Sequence, residues 1–222
     1  MRRQRPAKPY DSRILVDIRV TPDGALATNK VLAQGAAVGV VVSGVAQRLP
    51  DDVLPEIREF YDYWLSLPKH ALVPTLSNWL DHAVPHLQPL VAISDIHSPT
   101  RLKIRYFGTG LVEVMGADRT GSDAEEVYVS SAKPLISRVA WEAVTRPCGY
   151  MCLRTAQTAL RREIGVHSIA LPLANPTSPV PAVVSYNYIS KRDYAFSDES
   201  AAERVHEVKL TGWIDLGAGV PK

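Results

Sequence analysis

Histidines, cysteines and arginines are the residues of this chain best suited to chemistry, and their spacing limits what that chemistry is. His82 and His86 stand four apart beside Asp81, a spacing that places both imidazoles on one face of a helix and would suit a metal, although a solvated or capping pair is the simpler reading. Cys148 and Cys152 are the only cysteines, four apart with a glycine between them, which makes neither a disulfide framework nor a complete zinc set and fits a reducing cytoplasm. Arg154, Arg161 and Arg162 cluster around one strand-like run and its turn. No aromatic residues interleave with them as a single-strand nucleic-acid platform requires, so they read as solvated charges on an edge strand. An enzyme needs a nucleophile with a base, a carboxylate pair in a cleft or a metal cluster. The chain has no Gly-x-Ser-x-Gly elbow, no P-loop and no dinucleotide fingerprint. Binding is the expectation, with catalysis on a similar scaffold, or a purely structural module with a filled core, as the alternatives.

Composition agrees. Of 222 residues, 46% are hydrophobic and 22% charged, ordinary values for a globular chain. Part of the net charge of +2 comes from Arg2, Arg3, Arg5 and Lys8, a solvated tail rather than a nucleic-acid arm. The longest apolar stretch, 35 to 46, is too short to cross a bilayer and lies too far along the chain for a signal peptide. A cytoplasmic protein that engages neither membrane nor nucleic acid is expected.

The elements that must position any site follow from periodicity. Residues 13–20 and 25–32 alternate around Pro22, Asp23 and Gly24 and read as a hairpin, within an extension over 1–48 that a disordered leader would explain nearly as well. From Asp51 or Asp52 as cap, Ile57, Phe60, Tyr61 and Trp64 lie on one face of a helix. This helix and a connector with a second short helix occupy 49–88. Residues 90–96 and 102–107 form a hairpin, 108–118 an irregular helical stretch punctuated by glycines, and 132–145 a clear helix with Leu135, Ile136, Val139, Ala140 and Trp141 in one stripe. Strand-like runs follow at 150–160, 165–173 and 180–189, and 199–210 reads as a closing helix within a 191–222 tail. The class is α+β: a five-stranded antiparallel sheet over 89–190 with helices on one face, flanked by an N-terminal and a C-terminal helix.

At this point the chain resembles a family of stand-alone bacterial PAS-like proteins. The resemblance rests on Tyr63-Trp64, Val73-Pro74, Leu87 to Asp95, the run Ile104-Arg105-Tyr106-Phe107-Gly108-Thr109-Gly110, Asp118-Arg119-Thr120-Gly121 and Ala170-Leu171-Pro172-Leu173. It covers about residues 55–217, and the run from Arg105 to Gly121 is its most specific part. The resemblance implies a sheet enclosing a small pocket and a sensory or regulatory role, with output through a protein partner or the protein's own assembly.

Within that frame, neither haem nor flavin is expected. The helix at 132–145 has no histidine to ligate iron, and Cys148 and Cys152 do not sit in a flavin-adduct motif. The pocket for an unknown small molecule is assigned to Ile104, Tyr106, Met115, Trp141, Met151, Leu153, His167 and Ile169. The apolar helix face with Ile57, Phe60, Tyr61 and Trp64 is assigned to a homodimer.

Overall fold

Alternation over the second half of the chain, interrupted by three-residue steps, produces a strongly curled antiparallel sheet. A computed structural model describes residues 16–20, 26–30, 45–46, 49–158, 163–189 and 202–221. The chain runs through β1 (Val16–Val20), β2 (Leu26–Lys30), β3 (Val45–Ala46), α1 (Pro55–Ser66), β4 (Lys69–His70), β5 (Val73–Pro74) and α2 (Leu76–Asp81). It continues through β6 (Val91–Ser98), β7 (Arg101–Phe107), α3 (Thr109–Met115), α4 (Lys133–Thr145), β8 (Cys148–Thr158), β9 (Glu163–Leu173), β10 (Ala182–Ile189) and β11 (Ala202–Asp215). The main sheet has the order β3-β11-β8-β9-β10-β6-β7, antiparallel except where the short β3 pairs parallel with β11. Strands β1 and β2 pair in the expected hairpin, Val16 opposite Lys30. The turn between them, and most of 1–48, lies outside the described residues.

Local chemistry explains the helix ends. Helix α1 starts at Pro55, not at the aspartates: Leu54 is the N-cap without a side-chain bond, and proline at the first position has no N–H to leave unpaired. Asp51 and Asp52 lie exposed in the preceding turn. Thr75 caps α2 by accepting from the Asn78 amide at 3.1 Å. Helix α3 ends on Gly116 at φ 66°, a left-handed cap that glycine adopts without penalty.

Gly108, the first of the glycines that punctuate 108–118, is a point of close approach. A Cβ there would lie 2.4 Å from the carbonyl oxygens of Gln88 and Pro89, both backbone atoms, while its own N–H donates to Val91 O at 2.9 Å. Gly108→Ala is therefore expected to lower stability by about 1–3 kcal/mol through forced backbone displacement. Gly165→Ala, where nothing lies within 4 Å of the new methyl, should be near neutral. Urea denaturation of both variants checks this, and equal midpoints would refute the close approach.

The closing helix expected at 199–210 is instead β11, paired along its length with β8. Its apolar side toward the α3/α4 face carries Val205, Val208, Leu210 and Trp213, steps of three, two and three. Register shifts at Val205/Glu207 and Leu210/Gly212 insert an extra residue each and convert two-residue steps into helix-like threes. Residues 199–201 lie outside the described residues.

Helices cover both faces of the sheet rather than one. On one side α3, α4 and the turn at Ala124–Glu126 pack over Ala92, Ile104, Ala170 and Val183. On the other, α1 and α2 pack over Val91, Ile93, Ile169, Leu171, Val184 and Tyr186. Ile57 is buried there and Phe60 and Trp64 are fully buried. Phe60 stacks on Tyr186 at 5.5 Å, and Trp64 Nε1 donates to Pro172 O at 3.2 Å. The stripe assigned to a dimer thus packs within the domain, where Tyr61 is the only one of the four left partly exposed.

Laid flat, β7 and β11 would stand about 24 Å apart at ~4.8 Å per strand. Yet Asp123 pairs with Lys103 of β7 and Tyr128 with Val205 of β11, and the helical turn at Ala124–Glu126 shortens the chain between Asp123 and Tyr128 to about 10 Å at ~2.0 Å per residue, or about 20 Å once the two pairings of ~4.8 Å are added. The sheet must curl to bring its edges together, and the 121–129 segment straps across the gap. The concave side so formed holds the cavity.

Candidate functional site

A cavity of about 60 Å³ lies between the concave side of the sheet and α3, α4 and the strap. Every long strand contributes to its wall. Its apolar part includes Ile104, Leu111, Met115, Ile136 and Val183, and its polar part is made by Ser94, Tyr128, Tyr150, Arg154, Ser185 and Asn187.

The polar part is a connected buried network. Arg154 is 9% exposed and points from β8 toward the strap, its guanidinium carbon 5.8 Å from the Tyr128 ring centre. Its Nη1 donates to Asn187 Oδ1 at 2.6 Å. The same oxygen accepts from Ser168 Oγ at 3.0 Å, and Asn187 Nδ2 donates to Leu90 O at 3.1 Å and to Ser185 Oγ at 3.3 Å. Ser185 Oγ also donates to Ala92 O at 3.3 Å. Asn187 therefore ties β10 to β9, to the turn that leads into β6 and to the arginine. Burial pushes the Tyr128 and Tyr150 phenols above their ordinary range, so both stay protonated donors near neutral pH. Arg154 Nε is buried without a hydrogen-bond partner. Among the described residues no carboxylate lies within ion-pairing distance of this guanidinium. An unpaired buried charge costs several kcal/mol, and arginine cannot shed its proton to avoid it.

Of the residues assigned to the pocket from sequence, Ile104 and Met115 line the cavity. Trp141 is half-buried against the same core without reaching the wall. Met151 and Ile169 belong to the opposite core under α1 and α2; Leu153 and His167 share their strand parity. Tyr106 also packs there, because Ile93 pairs with Tyr106 and Ser94 with Ile104, leaving Arg105 as a bulge. The bulge lets Phe107 share the cavity side with Ile104. On β8 and β9 the cavity parity belongs to Tyr150, Arg154, Ala156 and Val166, one residue out of phase with the expected set.

Arg154 was read as a solvated edge charge, and the structure reverses this. Strand β8 is an edge only if β11 is a helix; with β11 in place it is an interior strand, and its inward charge is buried. Arg161 and Arg162 lie outside the described residues. The signal available was the phase of Arg154 with Tyr150, Cys152 and Ala156, which repeat at two-residue intervals on one face. The strap buries Ala124, Val127 and Tyr128.

The other chemistry-bearing residues lie elsewhere. His82 Nδ1 donates to Asn78 O at 3.0 Å and His86 Nε2 to Glu59 Oε1 at 2.7 Å, both on the surface. Burial lowers the His167 pKa and pushes the Cys148 thiol up to about 12, leaving little thiolate. Among the described residues no group of three or more His, Cys, Asp or Glu is placed to hold a metal, and no helix is long and apolar enough to cross a membrane.

Comparison with known proteins gives one match. A family model described as PAS domain matches residues 54–184, from the start of α1 into β10. No curated protein and no solved structure matches the chain. The match takes in more than half of the sequence, including the helices on both faces and most of the cavity wall, and the chain therefore belongs to the PAS domain family, a family of sensory and regulatory modules.

Proposed function

We propose that this domain senses a small molecule held in the cavity beneath α3 and α4, and that it relays occupancy to a protein partner or a second copy without catalysing a reaction. The observation that carries this reading is a mainly apolar cavity whose wall holds a connected set of buried polar groups, Arg154, Asn187 and Ser185, the usual anatomy of a ligand site. The strap gives a route for the signal. Val127 and Tyr128 line the cavity, and Val129 N–H donates to Val205 O at 3.0 Å, so displacing the lining pulls on the β11 edge. The buried stripe of α1 is not the dimer surface in this reading. Leu65, Leu72 and Leu80 are the large apolar residues left exposed among the described ones. A cytoplasmic location fits the free, buried cysteines.

Native mass spectrometry of freshly purified protein tests the proposal, since bound molecule and assembly state appear together. A small adduct lost on denaturation is expected. The cavity is far below the several hundred Å³ that a large cofactor occupies, so neither a Soret band nor a flavin spectrum should accompany it. Absence of any adduct, together with no thermal shift from a panel of small polar and apolar probes, would reject the reading in favour of a filled structural core.

A further inference from the structure

We infer that the cavity is built for a small monocarboxylate, its anionic end against the Arg154 guanidinium and its short apolar body against Ile104, Met115, Ile136 and Val183. This rests on the cavity being a ligand site and names the class of ligand. Arg154 is more than nine-tenths buried and lines the cavity. Its acceptor in the protein is Asn187 Oδ1, a neutral oxygen already shared with Ser168. Among the described residues its Nε has no hydrogen-bond partner, and the ionisable groups that act on it are the weakly accepting Cys152 thiol, Tyr128 and Tyr150, none of them a carboxylate. A planar guanidinium with unused donors matches a carboxylate, which accepts two parallel N–H bonds.

The rest of the wall narrows the class. Among the described residues that line the cavity Arg154 is the one charged side chain, and it supplies a counter-ion for a single negative charge. The apolar lining disfavours a fully hydrated inorganic ion and favours a hydrocarbon body. A volume of about 60 Å³ holds only a few heavy atoms beyond the headgroup.

The test uses the full chain in thermal melts and calorimetric titrations with the sodium salts of acetate through hexanoate, with butyramide as the neutral isostere of butyrate and sodium chloride at matched ionic strength. Saturable stabilisation by one or more of the carboxylates is expected, with butyramide at least tenfold weaker than butyrate and no response to chloride. Arg154→Met is expected to remove the carboxylate response. The comparison of butyrate with butyramide on the unaltered protein stands even if that variant does not fold. Equal response to butyrate and butyramide, a response to chloride of the same size, or an Arg154→Met protein that responds like the parent would overturn the inference. If neutral apolar probes bind and carboxylates bind no better, the charge assignment fails while the ligand-site reading survives. If nothing binds, both fall.

Discussion

Trp64→Ala is expected to cost about 3–5 kcal/mol of folding stability, a large share of what a domain of this size has. Trp64 is fully buried between α1 and the sheet, and it fixes the helix by donating its indole N–H to Pro172 O. Pro172 lies beyond Ala170, the last β9 residue paired with β8, so its carbonyl accepts the indole without competing with a ladder bond on that side. Removing the ring leaves a cavity beside Phe60, which packs on Trp79 at 5.3 Å, and strips a buried carbonyl of its donor. Chemical denaturation followed by circular dichroism measures the loss. The same burial fixes what charged residues would do here: Phe60→Asp with Trp64→Asp should unfold the chain, not yield a folded monomer. Light scattering beside circular dichroism separates the two, and a folded, fully monomeric double variant would show that α1 is an interface helix after all.

The second large effect is expected at Asn187. Asn187→Leu keeps the branched shape and heavy-atom count of the side chain, with bulkier methyl ends, but removes the acceptor of both Arg154 and Ser168 and the donor to Leu90 O and Ser185 Oγ. Leaving a buried guanidinium without its protein acceptor should cost about 3 kcal/mol or more. In an Arg154→Met background the charge is gone, and the same substitution should cost clearly less. A double-mutant cycle by denaturant unfolding reads this coupling, with at least 1 kcal/mol expected between the two sites. Additive losses would mean that Asn187 acts through the strand ladder alone and that the arginine draws nothing from it.

Much of the architecture was legible along the chain because it depends on local chemistry. The stripe Ile57, Phe60 and Trp64 needs only the 3.6-residue period to read as a helix, and the runs that became β6 to β10 need only alternation and turn residues. Burial of α4 through Ile136, Val139 and Ala140 follows in the same way. What the sequence did not determine was which side of the sheet each residue faces and what lies beside it. Parity along a strand survives only until a bulge: the extra residue at Arg105 sends Tyr106 to one core and Phe107 to the other. In β11 two such insertions imitate the spacing of a helix, and reading them as one left β8 with an apparent free edge and Arg154 with apparent solvent. Bulges and neighbours are set by pairing between strands far apart in sequence, where curvature and packing choose among local patterns of nearly equal energy. The amino-acid sequence thus determined that strands, helices and an apolar core would form; only the tertiary structure decided that an arginine would stand inside it, because only the arrival of β11 turns an edge strand into an interior one.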